Sequence, residues 1–240
     1  MRQGRTLRRS GQCCKETQGI CASSYYAHVP QHPILGNHHT NVNSTRGIKI
    51  MGDSSWLAKK TVTGNLRDGD TQKIKPFSFS GIGFHPKTFP VLADIIDRGK
   101  ITVEYDSEMG GMAEYDYSTN TIVLGFTWTF EETKNALVIH ECTHAVYDVA
   151  QAKMTTAISE SIAYIVQCQY LLVKLGDKKR LTSPNKAKDL VFELAWKIAA
   201  NLVFNDTKPT HSQQGALVTA ISQHPFYMGK AAGDAGFDGV

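Results

Sequence analysis

The chain has 240 residues, 41% of them hydrophobic, which is enough to bury one core and leaves length for an extension. The formal net charge is only +4, and five basic residues lie within the first fifteen positions, so a nucleic-acid partner is not expected. No apolar run follows those N-terminal arginines, and the longest apolar stretch, 162–173, is interrupted by Gln167 and Gln169. The sequence therefore predicts no signal peptide and no membrane span, and we expect a soluble protein, cytoplasmic by default.

The cysteine pattern favours a reducing compartment over a disulfide framework. The chain has only five cysteines, and two of them, Cys142 and Cys168, fall inside predicted helices. The remaining three, Cys13, Cys14 and Cys21, have no partner set at zinc-finger spacing. They indicate either an unstructured tail that carries cysteines or a second metal site.

Composition divides the chain into three parts. Residues 1–75 are basic and irregular, so we expect an N-terminal extension, which is a pro-segment, an inhibitory segment or simply an unstructured tail. Residues 76–228 carry the periodic hydrophobic segments and are expected to form the folded domain. The glycine-rich residues 229–240 are expected to form a flexible C-terminal tail.

The first half of the expected domain combines one short helix with three strands. Apolar residues recur at helical spacing over 88–98, and Gly99 follows where a helix cap is expected. The runs 101–105, 112–117 and 121–126 are rich in strand-forming residues and are separated by turn residues. This order predicts an antiparallel three-stranded meander.

The C-terminal half is predicted to be mainly helical, which makes the fold class α+β. The first long helix should cover 130–149, with Thr129 and Glu132 at the spacing of a capping box. The later helices are predicted from cap residues and apolar periodicity. They cover 156–175, a segment that begins at Ser183-Pro184, and 213–223.

The first long helix carries His140-Glu141-Cys142-Thr143-His144, which matches the H-E-x-x-H pattern. Residues four apart in a helix lie one turn above each other, so both imidazoles can reach one tetrahedral ion. Glu141 is turned by about 100° and would face the open coordination position. The ordinary alternative is a pair of helix-face histidines beside a solvated glutamate, but the apolar residues around the motif indicate a buried helix.

A catalytic zinc ion needs a third protein ligand, and Glu160 is the best candidate. It lies sixteen residues after His144, in the first turn of the next predicted helix, and the short connection would let the two helices pack side by side. The alternative is an acid that only complements the dipole of its helix.

The motif His140-Glu141-Cys142-Thr143-His144 with Glu160 downstream resembles the gluzincin group of zinc metallopeptidases over about residues 100–175. The resemblance implies a zincin-like domain in which an extended peptide lies along the edge strand beside the active helix, and the run 121–126 is the candidate strand. In that group an aspartate often follows the glutamate by four positions and orients a histidine, whereas this chain has Tyr164.

Several neighbouring residues have two readings. Asp148, one turn after His144, is either the carboxylate on the outer imidazole nitrogen or a surface acid. The phenol of Tyr164 is either a catalytic group aimed at the metal-bound oxygen or a core side chain. His211 and His224 are read as surface histidines, with assistance to an oxyanion as the alternative.

The function predicted from these residues is zinc-dependent hydrolysis of peptide bonds, with a metal-bound water activated by Glu141. The cofactor is Zn²⁺, the partner is a peptide or protein substrate, and nothing specifies an oligomeric state. One alternative is a zinc hydrolase of another amide, of toxin or cell-wall type. Another is a non-catalytic, zinc-stabilised binding protein, which would have no need of Glu141 beside an open coordination position.

Overall fold

The computed structural model describes residues 52–128, 130–176 and 189–240. Within these ranges, six helices and two small sheets form a mixed architecture, so the predicted α+β class with a helical C-terminal half is confirmed. The elements are α1 (Gly52–Arg67), β1 (Phe77–Phe79), β2 (Ile82–Phe84), α2 (Thr88–Asp97), β3 (Thr102–Tyr105), β4 (Ala113–Asp116), β5 (Thr121–Leu124), α3 (Glu132–Val149), α4 (Thr156–Leu175), α5 (Leu190–Asn205) and α6 (His211–Gln223).

The three-stranded sheet is not the predicted meander. Its order is β3-β5-β4, with β5 parallel to β3 and antiparallel to β4. The physical reason is burial: three of the four residues of β5 are buried, whereas β3 and β4 alternate between buried and more exposed positions. A strand that is apolar on both faces takes the centre of a sheet, and alternating strands take its edges.

A close backbone approach accompanies this order. A side chain at Gly125, directly after β5, would collide with the backbone of Gly110. Gly125 also donates its N–H to the carbonyl of Met112 at 2.8 Å. Glycine at this position therefore lets the connection from β3 to β4 pass over the end of the central strand.

Helix α1 lies inside the region that was expected to be an irregular extension. Ala58, Val62 and Leu66 are all fully buried, four residues apart, and the helix packs against α2, β3 and α3. The boundary expected at residue 76 is therefore too late, whereas residues 1–51 of the expected extension lie outside the described ranges. The signal was weak because poor helix formers such as Thr61 and Gly64 interrupt the stripe.

The predicted helices 88–98, 130–149, 156–175 and 213–223 all correspond to helices of the structure, with ends that differ by at most two residues. Glu131 occupies the N-cap of α3, and Thr129, predicted for that role, lies outside the described residues. The predicted start at Ser183-Pro184 also lies outside them. Helix α4 packs between α3 and α5, and this side-by-side contact positions the candidate site.

The C-terminal residues pack against the domain, contrary to the flexible tail expected for 229–240. Phe237 is buried, and Asp234 forms a β-bridge with Thr155. The N–H groups of Asp238 and Gly239 donate to Oδ1 of Asp148 at 2.9 and 3.0 Å. Sequence periodicity could not reveal this packing, because main-chain hydrogen bonds hold much of the segment.

Asp148→Ala is expected to lower the free energy of unfolding by about 2–4 kcal/mol, because a buried acceptor of several hydrogen bonds is removed. Urea unfolding followed by circular dichroism measures the loss. Asp94→Ala is the control: this carboxylate pairs with Arg67 with 58% of its side chain exposed. Its loss should change stability by less than about 1 kcal/mol. Equal losses in the two variants would contradict the role of Asp148.

Candidate metal centre

The helix pair α3 and α4 brings together the three predicted ligands. His140 and His144 lie one turn apart on α3, with ring centroids separated by 5.0 Å. Glu160 comes from the first half of α4, and one ligand atom from each of the three residues lies within 4.8 Å of the others. This group could therefore hold a metal ion.

The donor atoms lie close enough together to share one metal ion. Nε2 of His140 lies 3.3 Å from Oε2 of Glu160, and Nε2 of His144 lies 3.6 Å from Oε1 of the same carboxylate. Zinc bonds of about 2.0–2.1 Å in tetrahedral geometry separate neighbouring ligands by about 3.3 Å. The two observed distances, which involve different oxygens of the Glu160 carboxylate, are close to that value, so this group could hold a metal ion without a large rearrangement.

Two buried polar side chains on α4 direct the imidazoles. Nδ1 of His140 lies 3.0 Å from Oε1 of Gln167, and Nδ1 of His144 lies 2.8 Å from Oγ of Ser159. Because the Gln167 oxygen can only accept, Nδ1 of His140 carries a proton, and Nε2, on the side of Glu160, is the nitrogen that could bind an ion. Sequence reasoning missed both partners, although Gln167 lies seven residues after Glu160, on the same helix face, and interrupts a mainly apolar run.

Asp148 has neither of the two roles considered for it, because it does not contact His144 and does not lie on the surface. Its carboxylate is fully buried and accepts hydrogen bonds from the hydroxyl of Tyr115 at 2.6 Å and from backbone N–H groups of the C-terminal residues. The carboxylate lies toward β4, and Ser159 occupies the outer nitrogen of His144 instead. Helical spacing placed Asp148 one turn from His144, but tertiary packing decides which neighbour each polar atom meets.

Glu141 is buried beside the three ligands and accepts the backbone N–H of Tyr115 in β4 at 3.0 Å. Burial raises the pKa of Glu141 to about 7, and the nearby charge of Glu160 acts in the same direction. A carboxylate whose pKa lies near neutrality can both accept and return a proton at physiological pH.

Two of the three ligands, Glu160 and His144, have protonation states that suit a cation. Burial would raise the pKa of Glu160, but His144 and His140 outweigh it and lower the pKa to about 2. Burial lowers the pKa of His144 to about 4. For His140, burial lowers the pKa, but Glu160 and Glu141 outweigh it and raise the pKa. An ionised Glu160 and a neutral His144 are the forms that bind metals, and His140 would release its proton on binding.

Two tyrosines line the same side of the site. The ring of Tyr164 packs edge-on against the His140 ring, with centroids 4.7 Å apart. The Tyr164 hydroxyl lies 3.3 Å from the Tyr227 hydroxyl. The Tyr227 hydroxyl donates a hydrogen bond to Oε2 of Glu160 at 2.9 Å. The rings of His224 and Tyr227 are neighbours, with centroids 5.6 Å apart. Sequence reasoning missed Tyr227 because it follows the last helix at a distance of 67 residues from Glu160.

Comparisons with protein-family models, with curated proteins and with solved structures each found no match. Among the helices in the described part of the chain, none is long and apolar enough to cross a membrane. The interpretation of the site therefore depends on its own residues and geometry.

Glu141→Gln is expected to stabilise the metal-free protein at high pH. The folded-state pKa is about 7, against an ordinary value of 4.5, so the wild type loses stability as the pH rises between these values. The neutral amide avoids that loss, so the variant should be more stable by about 2–3 kcal/mol at pH 8 and nearly equal at pH 4. Urea unfolding in the presence of a chelator measures both.

Glu104→Gln is the matched control for this pH experiment, because Glu104 is an exposed carboxylate on β3, at the other edge of the same sheet. This variant should stay within about 0.5 kcal/mol of the wild type at both pH values. A Glu141→Gln variant without any gain at pH 8 would show that the carboxylate is well solvated in the folded protein.

Proposed function

We propose that the protein is a zinc-dependent metallohydrolase that cleaves peptide bonds, with His140, His144 and Glu160 as metal ligands. The observation that carries the proposal is the convergence of these three donors within 4.8 Å, with the buried Glu141 beside them. Two imidazoles and one carboxylate are a common donor set of catalytic zinc sites, which keep a fourth position for water or substrate.

In this proposal, Glu141 transfers protons, and Gln167 and Ser159 orient the ligand histidines. A bound zinc ion would polarise the scissile carbonyl and lower the pKa of a water molecule. Glu141 would take a proton from the attacking water and deliver it to the leaving amine. Gln167 and Ser159 would hold the imidazoles in the tautomer that binds the ion.

In this proposal, Tyr164 positions one of the ligand histidines. Its ring packs against His140 at 4.7 Å, so it limits the rotation of that imidazole. The predicted contact between its hydroxyl and the reacting oxygen stays a prediction.

The edge strand favours a peptide as the substrate. The expected edge, 121–126, is wrong because β5 is the central strand, and β4 is the edge strand that contacts α3. The N–H of Tyr115 faces Glu141, away from β5, and in an antiparallel ladder every second residue points the same way. The backbone groups of Ala113 would therefore lie along the outer edge, where an extended peptide could pair with them.

The alternatives are a non-catalytic zinc-binding protein and a hydrolase of another amide. A purely structural zinc site gains nothing from a buried carboxylate with a raised pKa, so Glu141 favours catalysis over a binding role. A hydrolase of another amide would use the same residues, but would have no need of a strand edge beside the active helix. The edge position of β4 therefore favours the peptidase.

The purified protein is expected to contain about one zinc ion per chain by elemental analysis. Glu160→Gln should weaken zinc binding by more than about 100-fold in competition with a chromophoric chelator, because it removes a charged ligand. Glu104→Gln, which changes an exposed carboxylate on β3, is the control and should bind like the wild type. Unchanged affinity of the Glu160 variant would remove this residue from the ligand set.

Zinc-loaded Glu141→Gln is expected to keep its metal and to cleave peptides about 10²–10⁴-fold more slowly, because the proton acceptor is lost. A synthetic peptide library analysed by mass spectrometry measures cleavage, and Glu104→Gln serves as the active control. Full activity of the Glu141 variant would refute the mechanism. A wild type that hydrolyses other amides but none of the peptides would favour the second hydrolase.

A further inference from the structure

Tyr227 connects the C-terminal segment, residues 224–240, to the candidate metal centre. Its side chain is largely buried, and its hydroxyl donates to Oε2 of Glu160 at 2.9 Å. The same oxygen lies 3.3 Å from Nε2 of His140. A residue far along the chain therefore contacts a predicted metal ligand directly.

The C-terminal segment also completes the helix that carries Glu160. The first N–H groups of a helix have no partner within the helix. In α4, the N–H of Thr156 donates to the carbonyl of Gly233 at 2.9 Å. The N–H of Ala157 donates to the carbonyl of Ala231 at 3.0 Å. These bonds hold the start of α4 about one turn before Glu160.

The far end of the segment is held at the other site helix. Asp148 lies near the C-terminus of α3 and accepts the N–H groups of Asp238 and Gly239 at 2.9 and 3.0 Å. Phe237, next to Asp238 in the sequence, is buried. The segment therefore bridges the end of α3, which carries both histidines, and the start of α4, which carries the glutamate.

We propose that Tyr227 is a positioning residue of the metal centre and that the C-terminal segment holds it in place. By donating to one oxygen of Glu160, its hydroxyl fixes the carboxylate and leaves the other oxygen free for the cation. This inference rests on the proposed function, because it requires that the three ligands bind a metal. Carboxylate ligands are usually hydrogen-bonded by a further residue, and losing that residue typically lowers metal affinity about 10–100-fold.

The first test compares Tyr227→Phe with Tyr147→Phe. Both changes remove one hydroxyl from a buried ring, but the hydroxyl of Tyr147 donates to the carbonyl of Gly83 at 3.1 Å. Zinc affinity is measured by competition with a chromophoric chelator, and the visible spectrum of the Co²⁺-loaded protein reports the ligand geometry. Thermal unfolding of the metal-free variants gives the Tm.

Both variants should lower the Tm, because Tyr147→Phe loses one hydrogen bond and Tyr227→Phe loses its contacts with Glu160 and with the Tyr164 hydroxyl. Only Tyr227→Phe should bind zinc about 10–100-fold more weakly and change the Co²⁺ spectrum. Affinity equal to that of the wild type would overturn the positioning role, and so would an equal loss of affinity in Tyr147→Phe.

The second test examines the segment without metal. Gly236 has φ +83°, and a side chain there would approach the Tyr117 ring to 2.6 Å, so Gly236→Ala should loosen the segment. Gly215→Ala is the control, because nothing lies within 4 Å of its added methyl group. Hydrogen exchange of the metal-free proteins is read at the amides of Thr156 and Ala157, which should exchange at least about 10-fold faster in Gly236→Ala only.

The outcomes separate this inference from the proposed function. Wild-type exchange in Gly236→Ala would overturn the role of the C-terminal segment, whatever the metal result. A wild-type protein that takes up no zinc would overturn the proposed function and the role of Tyr227 together. The exchange comparison would then still decide whether the segment holds the start of α4.

Discussion

The packing of α3 against α4 is the contact on which the candidate site depends, because it removes two imidazoles and two carboxylates from water. Buried polar groups are stable only when their atoms find partners. Gln167 and Ser159 supply partners to the outer imidazole nitrogens, and Tyr227 supplies one to Glu160. The backbone of β4 supplies one to Glu141. The hydrogen bonds that stabilise these buried groups therefore come from α4, from β4 and from the C-terminal segment.

The two carboxylates of the site have opposite electrostatic surroundings. Glu160 faces both histidines, which lower its pKa to about 2, whereas burial raises the pKa of Glu141 to about 7. Neighbouring groups whose pKa values are driven apart typify sites where one group binds charge and the other transfers protons. The raised pKa of Glu141 also lowers the stability of the metal-free folded protein at neutral pH.

The order of the sheet and the start of the domain could not be predicted from local sequence patterns. Turn residues correctly separated the three strands, but local spacing does not state which strands pair, and β5 lies at the centre because it is the most buried. Helix α1 was missed because Thr61 and Gly64 weaken its local signal, although Val62 and its neighbours on the same face are fully buried. Tertiary burial overrides weak local propensity in such segments.

The amino-acid sequence by itself determined the helices of the site and the face on which His140 and His144 lie, because helical periodicity is a local property. It also indicated Glu160, because a short connection favours side-by-side packing of consecutive helices. Only the tertiary structure decided the partners of these residues: Ser159 instead of Asp148 on His144, and Tyr227 on Glu160. Those contacts join residues that are distant in sequence or on different helices, and their directions depend on how the whole chain packs.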